Sequence, residues 1–177
     1  MLRRGCLLGV GGLLVICFLA CGLGYFVGLP KIQNNIADNF QDGIATVVAT
    51  SVADANASPG QLIITERQLN EKLNADVENG DVATQITESG VSLELNYRDD
   101  RTDPIRYSAL PTIDENGHLE LTDVAASEGF MERLLPKDKF ANAIEDGVNS
   151  VLDENNLMLA DIELTDGELT LTTVQSS

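Results

Sequence analysis

The chain has few of the residues that most often carry chemistry. Its 177 residues include no Trp, one His and three Cys, and only 5% are aromatic. Cys6, Cys17 and Cys21 all lie near the start, so no disulfide can join segments of the rest of the chain, which must be held by an ordinary core. No Gly-x-Ser-x-Gly or His-Glu-x-x-His motif occurs. The sequence therefore predicts no enzyme, no metal site and no cofactor.

Positive charge is also scarce. The chain has 11 Lys+Arg against 28 Asp+Glu, a formal net charge of −17. The only charged residues among the first 30 are Arg3 and Arg4, so residues 31–177 carry 9 basic and 28 acidic residues and a net charge of −19. A surface this acidic repels a phosphate backbone. This excludes nucleic acid as a partner and leaves a basic protein as a partner for the acidic face.

One long apolar run stands out against this acidic background. Residues 5–29 are 25 consecutive residues without a charge. A helix of that length reaches about 37 Å, enough to cross a hydrocarbon core of about 30 Å. Because Arg3 and Arg4 precede the run, the positive-inside rule places the N-terminus in the cytoplasm. The sequence predicts a single-pass protein of the cell membrane, with residues 1–30 as its transmembrane anchor and residues 31–177 as one extracytoplasmic domain.

Other interpretations of this run remain open. A cleaved signal peptide has a shorter apolar core, of about 7–15 residues. The segment Phe18–Cys21 resembles a lipobox with Cys21 as the acylated residue, although residues 22–29 stay apolar where lipoproteins normally turn polar. Glycines four residues apart, such as Gly5 and Gly9, match the pattern of paired membrane helices, so a homodimer through the anchor is a further alternative.

Beyond the anchor, the apolar pattern predicts three helices. Two long helices, over residues 30–55 and 136–154, each carry an apolar stripe at helical spacing. A shorter helix over residues 66–76 follows Thr65 and Gln68, which have the spacing of a capping box.

The segments between the long helices have the alternation of β-strands. Apolar and polar residues alternate over residues 91–97, 105–113 and 119–121, and a final hairpin turns at Asp166 and Gly167. Such alternation is typical of an antiparallel sheet with one wet and one buried face. The predicted order is α-β-α-β-β-β-β-α-β-β. We therefore predict an α+β fold in which two long amphipathic helices pack on one face of a curved antiparallel sheet.

The two long helices share a pattern at a spacing of 104 residues. Gly43 and Gly147 are equivalent in it, and glycine inside a helix costs about 1 kcal/mol relative to alanine. We therefore expect these glycines to lie close to a neighbouring backbone. An internal repeat and a chance likeness of two amphipathic helices both explain the shared pattern.

Three polar features are candidates for ligand sites. His118 directly follows the Asn116–Gly117 turn, where we expect it to be exposed to solvent. The acidic cluster Asp99–Asp103 lacks the glycine and the distal Glu of an EF-hand, so we interpret it as a solvated loop. A carboxylate pair at glycosidase spacing is compatible with the sequence, but the chain has no Trp to stack on a sugar.

Several short motifs occur in an informative order. They are ITERQLNEKL at 64–73, GVSLEL at 90–95, NGHLEL at 116–121 and DGELTL at 166–171. Together they resemble bacterial membrane-anchored TULIP-like lipid-binding domains, including the phospholipid-binding proteins associated with lipomannan elongation and related anchored proteins of unknown role. The resemblance covers about residues 63–174.

This resemblance implies that an acyl chain binds between the helices and the sheet. Burial contributes about 0.8 kcal/mol per CH₂, so contacts with the tail alone can hold a lipid. The acidic surface opposes an anionic leaflet, which favours a neutral lipid. The lining residues that we predict lie on the helix stripes and at inward strand positions: Phe40, Ile44, Leu93, Leu95, Phe140, Ile144 and Val148. The alternative function is a non-enzymatic interaction or assembly module that presents an acidic surface outside the membrane.

Overall fold

The computed structural model describes residues 30–31, 33–74, 80–97, 104–127 and 135–176. Residues 1–29 of the predicted membrane anchor, which include its cysteines, lie outside these residues. The acidic cluster Asp99–Asp103 also lies outside them. Within the described residues, no helix is long and apolar enough to cross a membrane.

The described part of the chain contains three helices and seven antiparallel strands, in the predicted α+β order. Helix α1 covers residues 30–31 and 33–54, helix α2 covers Glu66–Leu73 and helix α3 covers Lys137–Glu154. Apolar residues at helical spacing on α1 and α3 are buried, as are alternate residues of the strands. The strands are β1 Gln61–Thr65, β2 Gly80–Thr87, β3 Gly90–Tyr97, β4 Ile105–Ile113, β5 Leu119–Ala126, β6 Leu157–Thr165 and β7 Glu168–Gln175.

The strands form two sheets, whereas the sequence predicts one. Strands β2-β3-β4-β5 make a four-stranded sheet and β1-β7-β6 a three-stranded sheet. The difference arises because β1 pairs with the last strand, β7, and α2 follows β1 immediately. The sheets touch through isolated backbone bonds at the two ends of β6: Leu159 N donates to Gly117 O at 2.8 Å, and Gly167 N donates to Ile86 O at 2.9 Å. Strand β6 therefore crosses the end of the four-stranded sheet that carries the β2–β3 and β4–β5 turns.

Helices α1 and α3 cross at Gly147. A Cβ atom at this position would lie 2.8 Å from Gln41 O and 3.4 Å from Ala45 N, which is too close for any side chain. The expectation that a neighbouring backbone explains this glycine is thus confirmed. For Gly43 it is wrong: a Cβ atom there would meet a side-chain atom, Leu73 Cδ2, at 3.0 Å.

Side chains of α2 cover the outer edge of strand β2. Glu66, Asn70 and Asn74 are four residues apart and therefore share one face of the helix. Their side-chain oxygens accept the backbone N–H groups of Ile86, Thr84 and Val82, each at 2.6 Å. Asn74 Nδ2 also donates to the backbone oxygens of Asn70 and Val82. These bonds explain why α2 ends at Leu73, before the predicted Asp76, and they leave β2 closed to further strand pairing.

Helix α3 covers the opposite edge, strand β5, in the same way. Asn149 Oδ1 accepts from Leu119 N at 2.8 Å while its Nδ2 donates to Leu119 O at 3.0 Å. One turn earlier, Glu145 Oε1 accepts from Leu121 N at 2.7 Å. Both edges of the four-stranded sheet are therefore bonded to side chains of a helix.

Removal of the Asn149 amide should destabilise the fold. We expect Asn149→Ala to lower the free energy of unfolding by about 2 kcal/mol, because a backbone donor and a backbone acceptor of Leu119 lose their partner together. Urea denaturation of the full chain measures this loss. Asn142→Ala, at an exposed position of the same helix, is the matched control and should change stability by less than about 0.5 kcal/mol. Equal losses in the two variants would contradict a specific role of Asn149.

Candidate functional site

An apolar cavity lies where the helices meet both sheets. Its volume is about 70 Å³. Every helix and every strand except β6 contributes to its wall, so the cavity lies at the centre of the described fold. Of the 18 lining residues, only Thr84 and Ser92 are polar: Ile44, Val48, Ile64, Leu69, Leu73, Thr84, Val91, Ser92, Leu93, Ala109, Pro111, Leu119, Leu121, Phe140, Ile144, Val148, Leu169 and Leu171.

The structure brings together five of the seven residues predicted to line a lipid site. The five that line the cavity are Ile44, Leu93, Phe140, Ile144 and Val148. The other two, Phe40 and Leu95, are half-buried, pack against the core and are not part of the cavity wall. Helical spacing and strand alternation identify inward-facing residues, but which of them border a cavity depends on how the layers pack.

An aromatic cluster packs around Phe140, one residue of the cavity wall. The ring of Phe140 stacks on Tyr107, with centroids 4.2 Å apart and planes at 20°, and meets Phe40 edge-on at 6.0 Å. The Tyr107 hydroxyl donates to Leu135 O at 2.6 Å, so this buried phenol has a partner for its polar end. Since Phe140 is 3% exposed, this wall is also part of the hydrophobic core.

Thr84 is the polar residue of the wall that our sequence reasoning missed. It is 6% exposed, and its hydroxyl oxygen is buried without a hydrogen-bond partner. The alternation of Val82, Thr84 and Ile86 as inward residues of β2 is the signal that could have identified it, because a threonine here takes the place of an apolar residue. A buried hydroxyl without a partner costs about 1–3 kcal/mol, so this position carries a cost that an apolar residue would avoid.

Two carboxylates with lowered pKa values, Asp114 and Glu94, lie away from the cavity. Backbone N–H groups of His118 and Asn116 each donate to Asp114 Oδ1 at 2.8 Å. The bond from His118, above all, holds the pKa of the Asp114 carboxyl below its usual value. On the outer face of β3, Arg106 Nε donates to Glu94 Oε2 at 2.6 Å and lowers the pKa of Glu94. Neither carboxylate lines the cavity.

His118 is more enclosed than the sequence indicates. Its side chain is 34% exposed, and its Nε2 lies 3.1 Å from Asp153 Oδ1 on α3. The histidine is therefore partly exposed to solvent, beside the end of α3. Among the described residues, no group of three or more His, Cys, Asp or Glu side chains is arranged to hold a metal ion.

Comparison of the chain with protein-family models, with curated proteins and with solved structures finds no match. The cavity and its wall are therefore the observations on which a function must be argued.

Proposed function

We propose that this protein binds an acyl chain or another neutral lipid between its helices and sheets, without catalysis, while its N-terminal segment anchors it in the cell membrane. The observation that supports this proposal is the apolar cavity, whose wall has 16 apolar residues out of 18. Sites for apolar ligands are enclosed and lined mainly by hydrophobic side chains. The burial of each CH₂ group in such a wall contributes about 0.8 kcal/mol.

A long chain requires the cavity to expand. Its 70 Å³ is well below the roughly 300–1,000 Å³ of pockets that enclose drug-sized ligands. Because the backbones of α1 and α3 touch at Gly147, the two helices would move together as a lipid enters. The proposed site would therefore have to widen from the described fold to hold a long chain, and the membrane anchor at the start of the chain would keep it near a source of lipid.

Photo-crosslinking of the full chain tests this proposal. The protein is incorporated into vesicles that contain a diacylglycerol with a diazirine in its acyl chain, irradiated and mapped by peptide mass spectrometry. We expect labels on cavity residues of β3 and α3 in addition to labels on residues 1–30, which report that the reaction worked. Labels confined to residues 1–30 would contradict lipid binding by the domain.

A matched pair of variants makes the test specific for the cavity. Ala109 is buried and lines the cavity, whereas Ala125 is exposed on the neighbouring strand. Ala109→Leu adds three carbon atoms to the wall and should abolish labelling of β3 and α3. Ala125→Leu makes the same change outside the cavity and should leave the labelling intact. Equal labelling of both variants would show that the lipid binds elsewhere.

The alternative is an interaction or assembly module that presents its acidic surface to a basic protein. The small cavity volume supports this alternative, because a helix–sheet interface with only about 70 Å³ unfilled is close to an ordinary packed core. Residues 31–177 carry a net charge of −19, which would attract a basic partner. In the crosslinking experiment, this alternative predicts labelling of the anchor alone.

A further inference from the structure

The hydroxyl of Thr84 is buried among apolar residues of the cavity wall. Leu69 and Leu73 of α2 and Leu93 of β3 line the same cavity, and Leu93 is the register partner of Thr84 on the adjacent strand. Thr84 is 6% exposed, and its buried Oγ1 has no hydrogen-bond partner. The side chain therefore presents an unsatisfied polar group at the border of a space whose other lining residues, apart from Ser92, are apolar.

The polar side chains of α2 near Thr84 bond to the backbone of β2. Asn70 Oδ1 accepts the Thr84 N–H at 2.6 Å, and Asn74 Oδ1 accepts the Val82 N–H at 2.6 Å. These bonds satisfy backbone N–H groups of β2 but leave the Thr84 hydroxyl without a partner. A buried hydroxyl can donate one hydrogen bond and accept two, and leaving it unpaired is unfavourable. A bound molecule with one polar atom at this point would remove that penalty.

The position of Thr84 also gives the orientation of such a molecule. Strand β2 is one edge of the four-stranded sheet and β5 is the other, and Leu119 and Leu121 of β5 line the cavity as well. Lining residues therefore come from all four strands, whose two edge strands lie about 14 Å apart at a spacing of about 4.8 Å between neighbours. A ligand with its polar atom at Thr84 would direct its apolar chain towards β5.

The wall also determines the charge of the ligand. None of the residues described as lining the cavity is Lys, Arg or His. A carboxylate or phosphate at Thr84 would be buried without a cation, which is strongly unfavourable. We infer that Thr84 is the buried hydrogen-bonding group of the cavity and selects an apolar chain that ends in an uncharged oxygen-containing group, such as an alcohol or an ester. This inference rests on the proposed function and specifies its ligand class.

Three small probes test this inference on the full chain in lipid nanodiscs. The probes are 1-octanol, nonane, which has the same number of heavy atoms, and octanoate at pH 7. Chemical shifts of the Leu93 and Leu69 methyl groups report binding in the cavity. Thr84→Val removes the hydroxyl and keeps the shape of the side chain, whereas Thr84→Ser keeps the hydroxyl. Partitioning of a probe into the lipid is the same for all variants, so ratios between variants cancel it.

We expect Thr84→Val to weaken 1-octanol binding about five- to tenfold, the factor that corresponds to one hydrogen bond of ordinary net strength. Nonane binding should be unchanged or tighter, which also shows that the variant is folded, and Thr84→Ser should restore octanol binding. Equal octanol affinities in wild type and Thr84→Val, or octanoate binding as tight as octanol, would overturn the inference but leave an apolar site. If neither octanol nor nonane binds any variant, the inference and the proposed function both fail.

Discussion

Replacement of Phe140 by alanine is expected to lower the free energy of unfolding by about 3–5 kcal/mol. The ring is 3% exposed, stacks on Tyr107 and meets Phe40 edge-on. Its removal takes away apolar contacts between α3, α1 and β4 at once. The loss includes a cavity term, because Phe140 already borders an unfilled space and its surroundings can only partly collapse.

Chemical denaturation of the full chain in detergent micelles, followed by circular dichroism, measures the loss. Phe140→Leu is the control, since it keeps most of the apolar volume and should cost less than about 1.5 kcal/mol. A loss below about 1 kcal/mol for Phe140→Ala would contradict the packing of α3 on β4 through this ring. It would also remove Phe140 from the wall of the proposed lipid site.

A larger side chain at Gly147 is expected to separate the two long helices. A Cβ atom there would lie 2.8 Å from Gln41 O and 3.3 Å from Ile44 Cβ, and a helical backbone cannot yield as a side chain can. We expect Gly147→Leu to destabilise the protein by about 3 kcal/mol, at the upper end of the usual cost of overpacking. Thermal unfolding of the full chain should show this as a lower midpoint.

The corresponding glycine of α1 provides the matched control. Alanine at Gly43 meets only the end of the Leu73 side chain, which can rotate away, and alanine is favoured over glycine in a helix by about 1 kcal/mol. Gly43→Ala should therefore be neutral or stabilising, while Gly147→Ala should be destabilising in spite of the same gain in helix propensity. Similar effects of the two alanine substitutions would contradict a backbone contact at Gly147.

Local sequence patterns predicted the elements of this fold well. The capping box is a good example: Gln68 N donates to Thr65 Oγ1 at 3.3 Å and Thr65 N donates to Gln68 Oε1 at 2.9 Å, at the start of α2. The turn at Asp166 and Gly167 and the burial of alternate residues in β4 also agree with the prediction. These features depend on neighbours within a few residues, so their signals lie within short segments of the sequence.

Contacts between distant segments were predicted less well. The E-x-x-L-N spacing of Glu66 and Asn70 recurs, with Val for Leu, at Glu145 and Asn149, yet its meaning emerges only where each helix lies beside a sheet edge. The split into two sheets depends on the pairing of β1 with β7, about a hundred residues later. Pairing over such a distance depends on the packing of the whole chain and not on either strand alone.

The sequence by itself determined the order of helices and strands and the residues that face inward, because helical and strand periodicity are local properties. The acidic charge is equally a property of the sequence. The tertiary structure decided that five of the seven predicted residues border one cavity, that Gly147 lies at the contact between two helices and that the Thr84 hydroxyl is buried without a hydrogen-bond partner. These features require several elements to meet at one point, and only the packing of the layers brings them there.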